Sequence, residues 1–197
     1  GDESTDEFIY DPAHPVQTAG GNNCCSPHIV PWGPYDQRAV EMRGDVLVYT
    51  SPPMAQDTEV TGPVEVVLYA ATDGPDTDFT AKLIDVYPSS RWYPDGYRLN
   101  LTDSIMRLRY RNGDGVPDFL MPGDVAEITI TLYPTSNLFA RGHRIRLDVS
   151  SSNFPRFDVN PNTGEPIGRE RRRTVADNTV YHEAGRGSVL ILPVIPK

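Results

Sequence analysis

Apolar and polar residues alternate with a period of two along much of this chain. Between residues 141 and 149, Ile145, Leu147 and Val149 fall on one face, and Arg144, Arg146 and Asp148 on the other. Successive side chains of a strand leave opposite faces of its sheet, so this pattern predicts a half-buried strand. The same period recurs in residues 64–72, with Val64, Val66, Leu68 and Ala70 on one face, and in 79–87, where Phe79, Ala81 and Leu83 oppose Thr80, Lys82 and Ile84. It recurs again in 104–111 and in 125–133, which turns Ile128, Ile130 and Leu132 inward. Residues 46–51, 173–182 and 187–194 complete the set, with Pro52-Pro53 and Pro88 as stops. Seven to nine such segments, parted by turn residues and without a helical apolar period over three turns, predict an all-β fold, an antiparallel β-sandwich.

The alternation breaks in two informative places. Residues 150–164 hold two prolines, three asparagines and one glycine, which is loop chemistry. Phe154 and Phe157 sit inside this polar loop beside Arg156 and Asp158. A long loop with apolar anchors either packs over a sandwich end or meets a partner surface. The other break is the start. Residues 1–7 are acidic and polar and are expected to be disordered, and Pro12 and Pro15 favour an extended connector lying along a surface. Residues 18–36 read as loop, tied down by Trp32 and Tyr35.

Composition narrows the classes. At 197 residues the chain fits one domain that can bury roughly 70% of its unfolded surface, so it needs no metal or disulfide to fold. A net charge of −9 makes nucleic acid and acidic membrane surfaces poor partners. The apolar run 189–195 is too short to span a bilayer and contains Pro193; no N-terminal signal pattern is visible, and the compartment stays open. Cys24 and Cys25 are adjacent and so cannot close a long loop. A vicinal disulfide, a ligand pair and two ordinary thiols all fit the spacing, the thiols best.

Several motifs then occur in a telling order: Tyr10-Asp11-Pro12, Pro15-Val16, Gly33-Pro34-Tyr35-Asp36-Gln37-Arg38, Val46-Leu47-Val48-Tyr49-Thr50-Ser51, Thr61-Gly62-Pro63-Val64, Asp76-Thr77-Asp78-Phe79-Thr80-Ala81-Lys82-Leu83, and the stretch 142–164. Together they resemble the C-terminal domain of the cocaine esterase, X-Pro dipeptidyl-peptidase and α-amino acid ester hydrolase family, from residue 8 onward. The resemblance implies a β-jelly-roll, similar to galactose-binding-like modules, that follows an α/β-hydrolase domain bearing a Ser-Asp-His triad. On it, residues 1–20 are an extended connector from that hydrolase domain, the stretch 8–20 leaving it directly, and 21–197 are the jelly-roll. The chain has no G-x-S-x-G nucleophile elbow. The triad therefore maps to no residue here, and His14, His28, His143 and His182 are not its histidine.

The resemblance implies a non-catalytic domain of a serine acyl hydrolase that packs on the catalytic domain, shapes its substrate cleft and supports oligomerisation. Asn153, Phe154, Arg156 and Phe157 are the residues expected to present the long loop to that domain. No cofactor is expected. The alternative is a free-standing carbohydrate- or small-ligand-binding module using Trp92, Tyr93 and Tyr97. Other patterns read more plainly. Asp73, Asp76 and Asp78, and the run Asn112-Gly113-Asp114-Gly115, could be taken for calcium loops; a capped polar turn and a hairpin loop fit them better, the latter lacking the downstream glutamate of an EF-hand. Arg169, Arg171, Arg172 and Arg173 read as a solvated strand edge or a dock for an acidic surface. Arg43-Gly44-Asp45 is a chance tripeptide, and Asn100-Leu101-Thr102 a sequon only on a secretory route.

Overall fold

The computed structural model describes residues 4–23 and 28–196. The alternating segments become nine strands among these residues: β1 (Thr5–Tyr10), β2 (Leu47–Thr50), β3 (Thr58–Thr72), β4 (Asp78–Tyr87), β5 (Tyr97–Arg107), β6 (Ala126–Phe139), β7 (Arg144–Ser150), β8 (Ala176–Tyr181) and β9 (Val189–Ile191). A four-residue helix, α1 (Arg38–Glu41), and a single 3-10 turn (Leu108–Tyr110) are the helical pieces. One sheet has the order β1-β8-β3-β6, with β9 also on β3, and the other β2-β7-β4-β5. All pairs are antiparallel. The chain crosses between the sheets at every step except β4 to β5 and β8 to β9, and 1-8-3-6 facing 2-7-4-5 is the strand order of a jelly roll.

The inward faces are those the alternation specifies. Val64, Val66 and Leu68 of β3, Ile128, Ile130 and Leu132 of β6, Phe79, Ala81 and Leu83 of β4, and Leu147 and Val149 of β7 are buried in one core. Two strands run past their expected ends. β3 begins six residues before Val64, and its register with β6 shifts between Gly62 and Val64. Pro63 has no N–H to give a ladder and Gly62 has φ 137°, so a bulge absorbs the break that the Gly-Pro pair signals.

Three expectations are corrected. Residues 5–7 are ordered, and Phe8 to Tyr10 do more than lie along a surface: β1 pairs with β8 along its length, and Phe8 and Tyr10 enter the core, Phe8 meeting Phe79 edge-on at 6.4 Å. Phe8 and Tyr10 lie two residues apart and so share the face that the sheet buries, while Glu7 and Ile9 face outward. The segment expected at 104–111 lies instead at 97–107, because Leu108–Tyr110 turns so that the backbone amide of Arg109 meets the Asp76 carboxylate at 2.9 Å. Residues 169–173 precede β8 and form no strand edge.

Candidate functional site

The long loop after β7 is held on several sides. Ser150 exchanges hydrogen bonds with Thr80, the two hydroxyls 2.7 Å apart. Ser152 Oγ accepts from the amide of Val16 at 2.8 Å, Phe154 donates its amide to Val16 O at 2.9 Å, and Phe154 O accepts from Thr18 at 2.7 Å. Residues 16–18 are thereby stitched to the loop like a short parallel strand, with Gln17 opposite Phe154. Gly20, at φ +69°, allows the chain to turn there: a Cβ would lie 2.3 Å from Gly33 O.

Asp103 is the buried pivot. One of its oxygens accepts from Asn153 Nδ2 at 2.7 Å and the other from Arg156 Nη1. Arg156 also donates to Asn22 Oδ1 at 2.6 Å, and its guanidinium lies over the Phe157 ring. The four expected interface residues are thus brought together, but in different roles. Asn153 and Arg156 fasten the loop, Phe157 is half-buried beneath the arginine, and Phe154, 39% exposed, is the side chain that projects.

Further along, Asn160 Nδ2 donates to both Asp76 and Asp78 at 2.8 Å, and Asn160 O accepts from the Tyr10 hydroxyl. Asp76 binds Arg109 Nε at 2.7 Å, and Asp78 makes a two-pronged pair with Arg107 at 2.9 Å on each prong. Burial pushes the Asp78 carboxyl above its ordinary value, against the opposing pull of Arg107. Asp73 caps the amide of Asp177 at 2.9 Å. These aspartates, read from sequence as a capped turn, are engaged by arginines, an asparagine and backbone amides. Asp118 likewise pairs with Arg111, and Asp114 caps Val116. Among the described residues no three His, Cys, Asp or Glu side chains converge on a metal-sized site; Cys24 and Cys25 lie outside them.

The chain order hides one more group. Lys82 stands opposite Asp103 on β5 and Asp148 on β7, on the outer face of the four-stranded sheet. That face is covered by the segment carrying α1, so Lys82 and Asp148 are each 2% exposed. Lys82 Nζ donates to Gln37 Oε1 at 3.3 Å. Burial drives the Lys82 ammonium below its ordinary range, while Asp103 and Asp148 resist. Burial and then the Glu41 charge push the Asp148 carboxyl up to about 7, with Lys82 and Arg146 pulling it back. A lysine in an otherwise alternating strand reads as solvent-facing, and nothing local marks this one as covered.

The site holds no assembled nucleophile and base. Ser150, Ser151 and Ser152 are buried, Ser150 and Ser152 hydrogen-bonded to Thr80 and Val16 and Ser151 to Asn178. His14, His143 and His182 bond Asp11, Asp85 and Asp6 respectively, on different parts of the molecule. Asn100 is buried, and Arg43 pairs with Asp45.

The long loop of this jelly roll is thus a fastened scaffold, and comparison with known proteins gives the family of the chain. Residues 6–191 match the model of the X-Pro dipeptidyl-peptidase C-terminal non-catalytic domain, and the chain belongs to that family. It is 41% identical over 199 residues to the cocaine esterase of Rhodococcus sp. (strain MB1 Bresler), covering all of this chain and 33% of that protein. Among solved structures, an α-amino acid ester hydrolase superposes with a TM-score of 0.89 at 32% identity, over 99% of this chain and 33% of the other. An aminopeptidase from a marine sediment archaeon, Thaumarchaeota archaeon, gives 0.88 at 32% identity, over 100% and 34%. The chain spans about a third of the length of these relatives.

Proposed function

We propose that this chain serves as the C-terminal, non-catalytic jelly roll of a serine acyl hydrolase, an esterase or an X-Pro peptidase. In this reading an α/β-hydrolase domain precedes it in the same polypeptide, and the jelly roll packs on that domain, helps wall its substrate cleft and supports oligomerisation. The observation that carries the reading is the coverage: the whole chain aligns with one third of proteins named as an esterase and an ester hydrolase. The rigid loop that leaves Phe154 projecting supplies a surface for such packing.

The acyl chemistry then belongs to a serine held elsewhere. The 197-residue chain by itself should leave p-nitrophenyl acetate at its buffer rate, with no inhibition by a serine-directed fluorophosphonate. Turnover that a fluorophosphonate abolishes would overturn the proposal.

The rival reading, a glycan-binding module, has Trp92, 72% exposed, in its favour. Against it, Arg91 lies 4.2 Å over that ring, and Tyr93 and Tyr97 meet Tyr87 edge-on and each other at a tilt. These contacts occupy part of the ring surface on which a sugar would stack.

A further inference from the structure

The two sheets part at the edge where β2 faces β8 and β9. On one flank of β3, β8 pairs with residues 70–72 and β9 with residues 65–67, so Leu68 and Tyr69 have no strand beside them there. The facing sheet ends in β2, four residues long. A short strand opposite a gap leaves a slot of about 280 Å³.

Its interior is apolar. Leu68, 1% exposed, lines it together with Ile145, Leu147, Val189 and Leu190. The polar groups that border it are matched within the protein. Ser188 Oγ accepts from the Tyr69 amide at 3.0 Å and donates to Tyr181 O at 2.9 Å, which closes the gap in the ladder. Ser51 Oγ accepts from the Ile145 amide at 3.0 Å and donates to Pro52 O at 2.8 Å. Beside the slot, Tyr49 from one sheet donates to Asp6 Oδ2 at 2.9 Å, and His182 Nε2 meets the same oxygen at 2.8 Å. The Tyr49 and His182 rings touch edge-on at 5.3 Å. Asp6, Tyr49 and His182 thus clasp the two sheets together next to an opening into their core.

We propose that this slot binds a small neutral molecule, an aromatic ring or branched aliphatic group carrying one hydroxyl. Its apolar part would rest on Leu68, Leu147 and Leu190, and its hydroxyl at the Tyr49–His182 rim. Size supports the assignment, since an apolar cavity of roughly 150 Å³ takes benzene and pockets for larger ligands start near 300 Å³. Charge supports it as well. A carboxylate at the Tyr49–His182 rim would lie near Asp6 and be repelled, and either charge carried into the apolar lining would lose its hydration without a hydrogen bond in return. The proposal is independent of any domain preceding this chain.

The test is a titration of the methyl-labelled protein, followed by NMR, with benzyl alcohol and separately with benzoate. Benzyl alcohol should shift the methyl signals of Leu68, Ile145, Leu147 and Leu190 saturably, and benzoate at equal concentration should not. Leu190, opposite buried Val66, faces the slot from β9 and is partly buried, so Leu190→Phe should fill the slot and weaken benzyl alcohol binding by about tenfold or more. The comparison of the two probes on the unmodified protein stands whether or not the variant folds. Shifts that fail to saturate, that benzoate reproduces, or that a folded Leu190→Phe protein retains at full strength would overturn the proposal.

Discussion

Lys82 lies in one row with Asp103 and Asp148 across three strands, and this row shows how burial changes the meaning of a residue. In water the three charges would be unremarkable; beneath the α1 segment each must be desolvated, and a buried charge is tolerated only with partners. Asp148 shows the consequence. Its ordinary value is near 3.8, and in the fold it is pushed up to about 7. Between those values the native state holds a proton that the unfolded chain has released. Stability contributed by this group is therefore full below about pH 4 and falls as pH rises towards 7, by a few kcal/mol on the order set by linkage. Asp148→Asn should be close to the parent in urea midpoint at pH 4.5 and clearly more stable at pH 8. Equal differences at both pH values would show that the buried carboxyl stays ionised throughout.

At the scale of elements, β1 has the most to answer for. Its six residues are an edge strand paired only with β8, yet they carry Phe8 and Tyr10 into the core. Tyr10 also ties β1 to the long loop through Asn160, so strand and loop are one cooperative unit. Truncating a buried phenylalanine costs roughly 3–5 kcal/mol, the lost transfer energy plus a cavity. Phe8→Ala should lower chemical-denaturation stability by about that amount, whereas a polar change at the neighbouring exposed Glu7 should stay within about 0.5 kcal/mol. If Phe8→Ala proves as mild, β1 is a loosely attached edge and not part of the core.

For the whole molecule, the question is which surface meets a partner. The end of the sandwich built from 150–164 and 16–23 combines internal rigidity with a projecting apolar side chain, Phe154, which is how anchors at interfaces are presented. Phe154 lies outside the core cluster, so its replacement tests docking more than folding. Phe154→Asp should leave the melting temperature of the 197-residue chain within a degree or two, the scale of a small surface effect. In a longer polypeptide carrying the proposed hydrolase domain, the same change should raise KM or loosen the domains to proteolysis. An unaltered KM and an unaltered digestion pattern would place the interface elsewhere.

Much of this architecture was legible in the chain. Two-residue periodicity singled out Val64, Val66 and Leu68, Ile128, Ile130 and Leu132, and Ile145, Leu147 and Val149 as inward; all are buried except Ile145, which packs half-buried against them. The grouping of Asn153, Phe154, Arg156 and Phe157 in one loop was legible too, because turn residues around aromatic anchors permit little else. Tertiary structure alone decided the rest. Acidic content argued against order in residues 5–7, and pairing with β8, a partner more than 160 residues away, overrode it. The cover over the outer face of β4 and β7 came from the segment carrying α1, just beyond the stretch 18–36 that sequence reads as loop, and it turned Lys82 and Asp148 from solvent residues into buried ones. Asp103 as the pivot of the long loop, and the slot beside Leu68, arise from strands that meet only in space. Alternation determines which residues share a face; how many layers cover that face, and where two sheets fail to close, depends on contacts between distant parts of the chain.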